Sequence, residues 1–351
     1  MTRILSGDVL IADVIAPVEG NAALAALAQK YRMVPGAKQA LDDTQLQEFS
    51  AALEGATAIV TPGGSSANML TTLGKLLGKE IEVRFLGMAG DGAYGTLIRD
   101  AFAEAGIALV PERFPPSHVV LQSAISFVLV YPDGQCSIAT YAGNARDILK
   151  PAMIPEHLVK NSDVVLMQGS LWHKFHPEFA GRLLKLCIQH HKQLWLTLPT
   201  QANLSKDETA GFMRGLPTAI LVLGNHAELE RLYGKDLKTS LRQLQVLFKD
   251  REERAIGFIT LGKDGAAVVS AEGVEYIKPV AAEIRNTLGA GDTSYAGFVA
   301  GYIKKLPDAT SARIAMVLAA EKLRVNSSRL ADPRAVLAAQ AAELSQLLGK
   351  P

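Results

Sequence analysis

Short β-branched and aliphatic runs alternate with longer amphipathic stretches along most of the chain. The runs are Ala58-Ile59-Val60, Val83-Arg84-Phe85-Leu86, Val164 to Met167, Leu194 to Leu198, Ile220 to Leu223 and Ile256 to Leu261. Strands that are apolar at nearly every position need cover on both faces, so the alternation predicts an α/β protein with a mostly parallel sheet wrapped by helices. One such helix is predicted from Phe179 to His190, with Leu183, Leu184, Leu186 and Cys187 on its apolar face. Two stretches, 17–57 and 112–143, break this rhythm. The second carries apolar runs at 124–131 and 137–141 joined by Pro132-Asp133-Gly134, which reads as an antiparallel hairpin. Inserted hairpins are a natural lid over the carboxyl edge of a parallel sheet. The chain therefore divides into a core of 1–16, 58–111 and 144–351 and a small β-rich lid of 17–57 and 112–143. No internal repeat, low-complexity stretch or long charged linker interrupts it.

Composition narrows the ligand class. Of 351 residues 48% are hydrophobic and 20% charged, the balance of an ordinary soluble globular protein. The formal net charge is +1 and the Lys and Arg residues are scattered, which leaves no electrostatic footprint for nucleic acid or an anionic membrane. Small neutral or nucleotide ligands are expected instead. Cys136 and Cys187 are too few for a disulfide framework and wrongly spaced for zinc, which points to a cytoplasmic setting. The apolar stretch Val9 to Ala12 is too short for a signal peptide core and is flanked by Asp8 and Asp13. No segment approaches the ~18 uncharged apolar residues of a membrane span.

The chemistry concentrates in Asn286 to Phe298, which follows the extended run Val274 to Ile277 and opens a helix. Tyr295, Phe298, Val299, Tyr302 and Ile303 recur at helical spacing as one apolar stripe, and Gly297 and Gly301 allow close packing. Gly289-Ala290-Gly291 then sits at the helix N-terminus, where unpaired N–H groups and the positive end of the dipole favour a phosphoryl oxygen. Asp292 places a carboxylate beside that anion hole. It is either a base for an attacking hydroxyl or an ordinary first-turn cap, and the turn alone does not decide between them.

Further motifs do decide. Asn286 to Phe298 resembles the C-terminal signature of the ribokinase-type, or PfkB-type, carbohydrate and nucleoside kinases. Gly63-Gly64-Ser65-Ser66-Ala67-Asn68 is similar to that family's Gly-Gly-x-x-x-Asn substrate loop, and Gly7 with Asp13 to its opening strand and acidic residue. Asn225-His226-Ala227-Glu228 fits its Asn-x-x-Glu element, and Thr260 to Gly265 its nucleotide-side strand and turn. The motifs fall in family order across nearly the whole chain.

The resemblance implies a doubly wound sheet with a β-rich lid and transfer of the γ-phosphoryl of ATP to a primary hydroxyl. By it Asp292 would be the base, with Gly289, Ala290 and Gly291 stabilising the transferring phosphoryl. Asn225 and Glu228 would organise Mg2+, water and the ATP phosphates, with Glu228 acting through water. Thr260, Gly262 and Gly265 would line the nucleotide side. Asp13, Gly63, Gly64, Asn68, Asn144 and Gln168 would face the acceptor. The family commonly has Asp at Asn286, beside a monovalent-cation site, so Asn286 and Thr287 are the candidates to hold K+. Gly92 stands where an Asp is usual, and Gln168 replaces a common glutamate. The longer 17–57 segment and the form of the Gly63-Gly64 loop resemble adenosine-kinase-type members, which favours a nucleoside acceptor over the free sugar of a ribokinase or fructokinase. A homodimer through exposed apolar lid strands is consistent with the pattern.

Two other classes are weaker. Gly90 to Gly95 satisfies the dinucleotide fingerprint of an NAD-dependent oxidoreductase, with Glu112 about twenty residues on. A kinase fold kept as a regulatory or binding protein is disfavoured by the intact Asp292 and anion turn. His173, His176 and the pair His190-His191 lack zinc spacing, and no Walker-type loop is present.

Overall fold

Neighbouring residues of the first strand, Ile4 and Leu5, bury on opposite sides of a sheet, each in a different hydrophobic core. The same alternation divides Val164 and Leu166 from Val165 and Met167. These runs are apolar at every position because both faces of the sheet are covered by helices. The computed structural model describes residues 1–54, 56–111, 121–144, 150–172, 177–199 and 205–340. Glu112, His173, His176, positions 112–120 of the expected lid and the end of the chain from 341 lie outside them.

The large sheet has nine strands in the order β14-β13-β12-β11-β10-β9-β1-β5-β6. They are β1 (Thr2–Gly7), β5 (Ile81–Leu86), β6 (Ile107–Val110), β9 (Val164–Met167), β10 (Gln193–Thr197), β11 (Ala219–Asn225), β12 (Ile256–Thr260), β13 (Ala266–Val269) and β14 (Val274–Ile277). All pairings from β6 to β12 are parallel, and β13 and β14 add an antiparallel edge. On one face lie α3 (Ser65–Leu77), α4 (Gly92–Glu104), α10 (Ala290–Ile303) and α11 (Asp308–Leu323). The other face carries α5 (Glu156–Asn161), α6 (Pro177–Gln189), α7 (Lys206–Gly215), α8 (His226–Tyr233) and α9 (Leu237–Lys249). A last short helix, α12 (Pro333–Ala339), packs on α3 and α11. The expected doubly wound arrangement is therefore present. None of the helices among the described residues is long and apolar enough to cross a membrane.

A second sheet of five strands runs β3-β8-β7-β2-β4, with β2 (Ile11–Pro17), β3 (Lys38–Leu41), β4 (Ile59–Gly63), β7 (Ala124–Val130) and β8 (Cys136–Tyr141). The hairpin β7–β8 is antiparallel, as its turn chemistry predicts. The division read from the sequence needs correcting. Ala58-Ile59-Val60 does not join the parallel sheet; β4 pairs antiparallel with β2, so 11–17 and 59–63 belong to the smaller layer. Segment 17–57 supplies one strand and two helices, α1 (Ala22–Lys30) and α2 (Asp43–Ala52). These helices cover one face of the small sheet through Leu24 and Phe49, the latter stacked on Phe127 of β7 at 5.3 Å between ring centroids. The expected β-rich lid is thus a sheet with two covering helices and its own core.

Helix α10 also departs from the one-sided stripe expected of it. Every residue from Thr293 to Gly301 is buried. Its small side chains let it sit between the sheet, α3 and α11, and a Cβ on Gly297 would meet Ala315 Cα at 2.9 Å.

Candidate active site

The carboxyl ends of β1, β9, β10, β11 and β12 line one edge of the large sheet, and Asn225 is in register with Thr260 there. Helix α10 starts at the same edge. Its N-cap, Gly289, is left-handed at φ 75° and has no side-chain cap. A Cβ there would lie 2.0 Å from the carbonyl oxygen of Ser328, so both conformation and space require glycine. Gly289, Ala290 and Gly291 each keep part of their surface open. The Ala290 N–H donates to Thr287 O at 3.3 Å, and the other uncapped first-turn N–H groups at the positive end of a long helix are suited to an anion.

Asp292, in that turn, accepts a hydrogen bond from Asn68 Nδ2 at 3.2 Å. Burial pushes its pKa up to about 6, against the pull of Asn68, the Lys38 charge and the Ser65 hydroxyl. The carboxylate is therefore ionised at neutral pH yet basic enough to take a proton.

Asn68 comes from α3, whose N-cap Gly64 is at φ 90° with no side-chain cap. A Cβ on Gly63 would lie 2.1 Å from the Asp13 carboxyl carbon, which shows that the Asp13 side chain rests on the glycine backbone. Asp13 is 4% exposed. Its pKa is raised to about 7, first by burial and then by the charge of Asp292, while Arg329 lowers it. Asn68 is buried as well, and its Oδ1 has no hydrogen-bond partner among the described residues. An orphaned buried acceptor costs about 1–3 kcal/mol, a cost that a bound donor would remove.

Asn225 and Glu228 form a reciprocal capping box at α8: Glu228 N–H donates to Asn225 Oδ1 at 2.9 Å and Asn225 N–H to Glu228 Oε2 at 3.0 Å. Glu228 is not a surface glutamate, because it is 8% exposed. Burial raises its pKa to about 7, and the charges of Lys38 and Asp292 reach it. Tyr295 lies among Glu228, Asp292 and Thr260, and burial raises its phenol. Among the described residues no three His, Cys, Asp or Glu side chains gather to hold a metal ion, so a magnesium ion here would be held chiefly by phosphate and water, with Glu228 nearby.

The remaining sequence candidates separate from this group. Gly265 is at φ 94° with a Cβ position 2.0 Å from Ile277 O, so the β12–β13 turn itself explains it, whereas Gly262 at φ 62° faces open space. Asn144 Oδ1 accepts the Gln122 N–H at 2.7 Å and ties two lid segments together. Gln168 Oε1 accepts from Thr197 Oγ1 at 2.6 Å and is buried after β9. Asn286 and Thr287 lead into α10, and Thr287 N–H donates to Gly134 O in the hairpin turn at 3.1 Å, which docks the lid on this segment. The dinucleotide-like loop is closed at its start: Gly90 N–H donates to Ser123 Oγ at 2.9 Å, and a Cβ on Gly90 would meet Ser123 N at 2.3 Å. The first glycine of the fingerprint is thus packed against the 121–123 segment, while Gly92 at φ 82° stays open.

Several residues near the site receive no role from the sequence, Ser65 although it stands within the Gly63 to Asn68 motif. Lys38 from β3 and Ser65 at the start of α3 both act on Asp292. Arg329 donates to Thr71 Oγ1 at 2.8 Å and acts on Asp13. Asp8 accepts from Ser66 Oγ at 2.9 Å and raises Asp292 further. A cluster of basic and acidic positions contributed by the lid, α3 and the post-α11 loop has no common spacing that a motif could show.

A doubly wound sheet with an uncapped helix and a carboxylate at its carboxyl edge, covered by a smaller sheet, is the arrangement of the ribokinase-like kinases. The profile of the pfkB family carbohydrate kinases matches residues 33–334, and the chain belongs to that family. An adenosine kinase from Sinorhizobium meliloti superposes with a TM-score of 0.81 at 21% identity, covering 97% of this chain and 99% of its own. A probable sugar kinase from Rhizobium etli gives 0.81 at 19% identity over 98% and 99%. An ATP-dependent ribose-1-phosphate kinase from Halopiger xanaduensis is 24% identical over 242 residues, 69% of this chain and 73% of the relative. The protein is a carbohydrate or nucleoside kinase, a phosphotransferase acting on a hydroxyl group.

Proposed function

We propose that the protein is a cytoplasmic enzyme that transfers the γ-phosphoryl of ATP, with magnesium, to the primary hydroxyl of a nucleoside. The observation that carries this reading is the meeting of α3 and α10, where Asp292 is held by Asn68 in an uncapped first turn. Asp292 takes the proton of the attacking hydroxyl, and the N–H groups of Gly289 and Gly291, joined by that of Ala290 once it leaves Thr287 O, receive the charge that spreads over the transferring phosphoryl. Asn68 Oδ1 and the Asp13 carboxylate hold hydroxyls of the acceptor, which satisfies the buried oxygen that lacks a partner. Glu228 draws magnesium and its waters toward the phosphates, and Gly262 and Thr260 border the nucleotide. Gln168 and Asn144 shape the acceptor side from behind, through Thr197 and Gln122. Ile59 and Val60, 40% and 41% exposed on the β4 edge, mark the surface on which a homodimer through the lid would form.

A free or phosphorylated sugar is the second reading, favoured by the ribose-1-phosphate kinase from Halopiger and by half-buried Arg329, whose charge reaches Asp13. A screen of ADP release with ATP and magnesium over nucleosides and sugars tests both, with mass spectrometry of the product. A nucleoside 5′-monophosphate is expected. Turnover only with ribose, ribose 1-phosphate or fructose overturns the nucleoside, and nucleotide binding without turnover of any acceptor overturns the kinase in favour of a binding protein.

A further inference from the structure

Lys322 lies near the C-terminal end of α11 and is completely buried, at 0% exposure. Its ammonium donates to the main-chain oxygens of Asn286 at 3.1 Å and Val325 at 3.5 Å. Among the described residues carbonyl dipoles, rather than a directly bonded carboxylate, hold the charge. Burial disfavours that charge, lowering the pKa to about 8, and the charge of Asp292 favours it. Removing an ammonium from water costs several kcal/mol even after relaxation, so a lysine kept in such a place answers a need of its surroundings. Those surroundings are the underside of the α10 turn. Asn286 O belongs to the segment entering that turn, and the loop after Val325 presses Ser328 O on Gly289.

Resemblance to the family places a monovalent cation beside Asn286 and Thr287. The donor groups that would hold it are engaged otherwise. Asn286 Oδ1 accepts the Leu288 N–H at 2.8 Å and the Cys136 thiol at 3.2 Å, and Nδ2 donates to Asn326 O at 2.7 Å. Asn286 brings no negative charge, its main-chain oxygen is taken by Lys322, and Thr287 Oγ1 donates to Gly134 O at 3.4 Å. A potassium ion entering here would meet a fixed ammonium of the same sign. The residues do not fit the ion.

We infer that Lys322 supplies from within the chain the positive charge that a bound monovalent cation would otherwise supply beneath the α10 turn, so that the protein works without potassium. A compact point charge fixed under a phosphoryl-binding turn strengthens that turn without being rebound at each cycle. The inference rests on the reading of the α10 turn as the phosphoryl site. The bland alternative is a staple that joins α11 to the α10 lead-in and does nothing to the ligand.

Thermal unfolding and MgATP affinity are measured in potassium- and sodium-free tetramethylammonium chloride, and again with potassium chloride at equal ionic strength. An ion that binds only the folded state raises Tm by mass action, so the wild-type Tm and affinity are expected to ignore potassium. Lys322→Met, checked for folding by circular dichroism, is expected to weaken MgATP binding on the order of tenfold, less than the loss of a donor in direct contact. Potassium, but not tetramethylammonium, is expected to restore part of it. A potassium-specific rise in wild-type Tm or affinity overturns the inference, and needs no variant that folds. So does a folded Lys322→Met with lowered Tm but unchanged MgATP affinity, the mark of a staple. Neither measurement needs an acceptor: a wild type indifferent to potassium that binds MgATP but phosphorylates nothing supports Lys322 and refutes the kinase reading.

Discussion

Helices α8 and α10 both begin at the carboxyl edge of the sheet with a carboxylate in the first turn, and they use it in opposite ways. In α8 the carboxylate of Glu228 turns back to the Asn225 N–H while Asn225 caps Glu228, so the helix end satisfies itself. In α10 the N-cap is a left-handed glycine with no side-chain cap, and Asp292 turns outward to Asn68 on another helix. One terminus is closed and the other is left open to a ligand. A carboxylate in a first turn is thus neither a cap nor a catalytic group by its position. What decides is whether the N-cap residue can satisfy the amides by itself.

That contrast can be broken by giving α10 a cap. Gly289→Asn adds a side chain able to accept from the first turn and forces a Cβ toward Ser328 O. The ADP-release rate is expected to fall about 10²- to 10³-fold, the cost of losing an oxyanion donor. Strain at the position should also lower stability by roughly 1–3 kcal/mol in thermal unfolding. A variant that keeps full activity would show that the open turn is not where phosphate binds.

The other terminus separates capping from metal handling. Glu228→Ala removes the returning half of the capping box and should cost about 0.5–2 kcal/mol of stability in urea unfolding. Glu228→Gln keeps an acceptor for the Asn225 N–H, so stability should hold while the magnesium concentration for half-maximal rate rises. Unchanged magnesium demand in Glu228→Gln would leave α8 a capped helix and nothing more.

Acidity gives the smallest and most diagnostic effect. Asp13, Glu228 and Asp292 titrate near 7, 7 and 6, above the carboxylate range of an unfolded chain. Between those ranges the folded protein holds more protons than the unfolded one, so the stability present at acid pH is lost as pH rises through the folded values. The Tm of the ligand-free protein should therefore decline from pH ~5 to pH ~8, and Asp13→Asn should flatten the decline. Activity should run the other way, with an acid limb in kcat near the Asp292 value of about 6. A Tm that climbs across this window would contradict the burial of these groups.

Much of this is legible in the sequence alone. Runs such as Val164 to Met167 are apolar on both faces only because helices cover both, and that signal is local. The Gly289 to Asp292 turn was legible because its glycines and its carboxylate are contiguous. Ile59 and Val60 misled because strand pairing is not local: nothing in an apolar triplet says that its partner is β2 rather than a parallel neighbour. The capping geometry of Glu228 follows from a three-residue spacing, but its burial depends on the approach of Lys38 and Asp292 from distant segments. Lys322 is the extreme case, since a lysine in the last turn of a helix is already explained by the helix dipole.

Asp292 holds the reading together. Steady-state ADP release with saturating MgATP and acceptor, beside calorimetric MgATP affinity, compares wild type with Asp292→Asn most directly. Loss of a proton acceptor should lower kcat by about 10²- to 10⁴-fold while MgATP affinity stays within a few-fold. An Asp292→Asn enzyme that turns over at the wild-type rate would mean that no proton passes through this carboxylate.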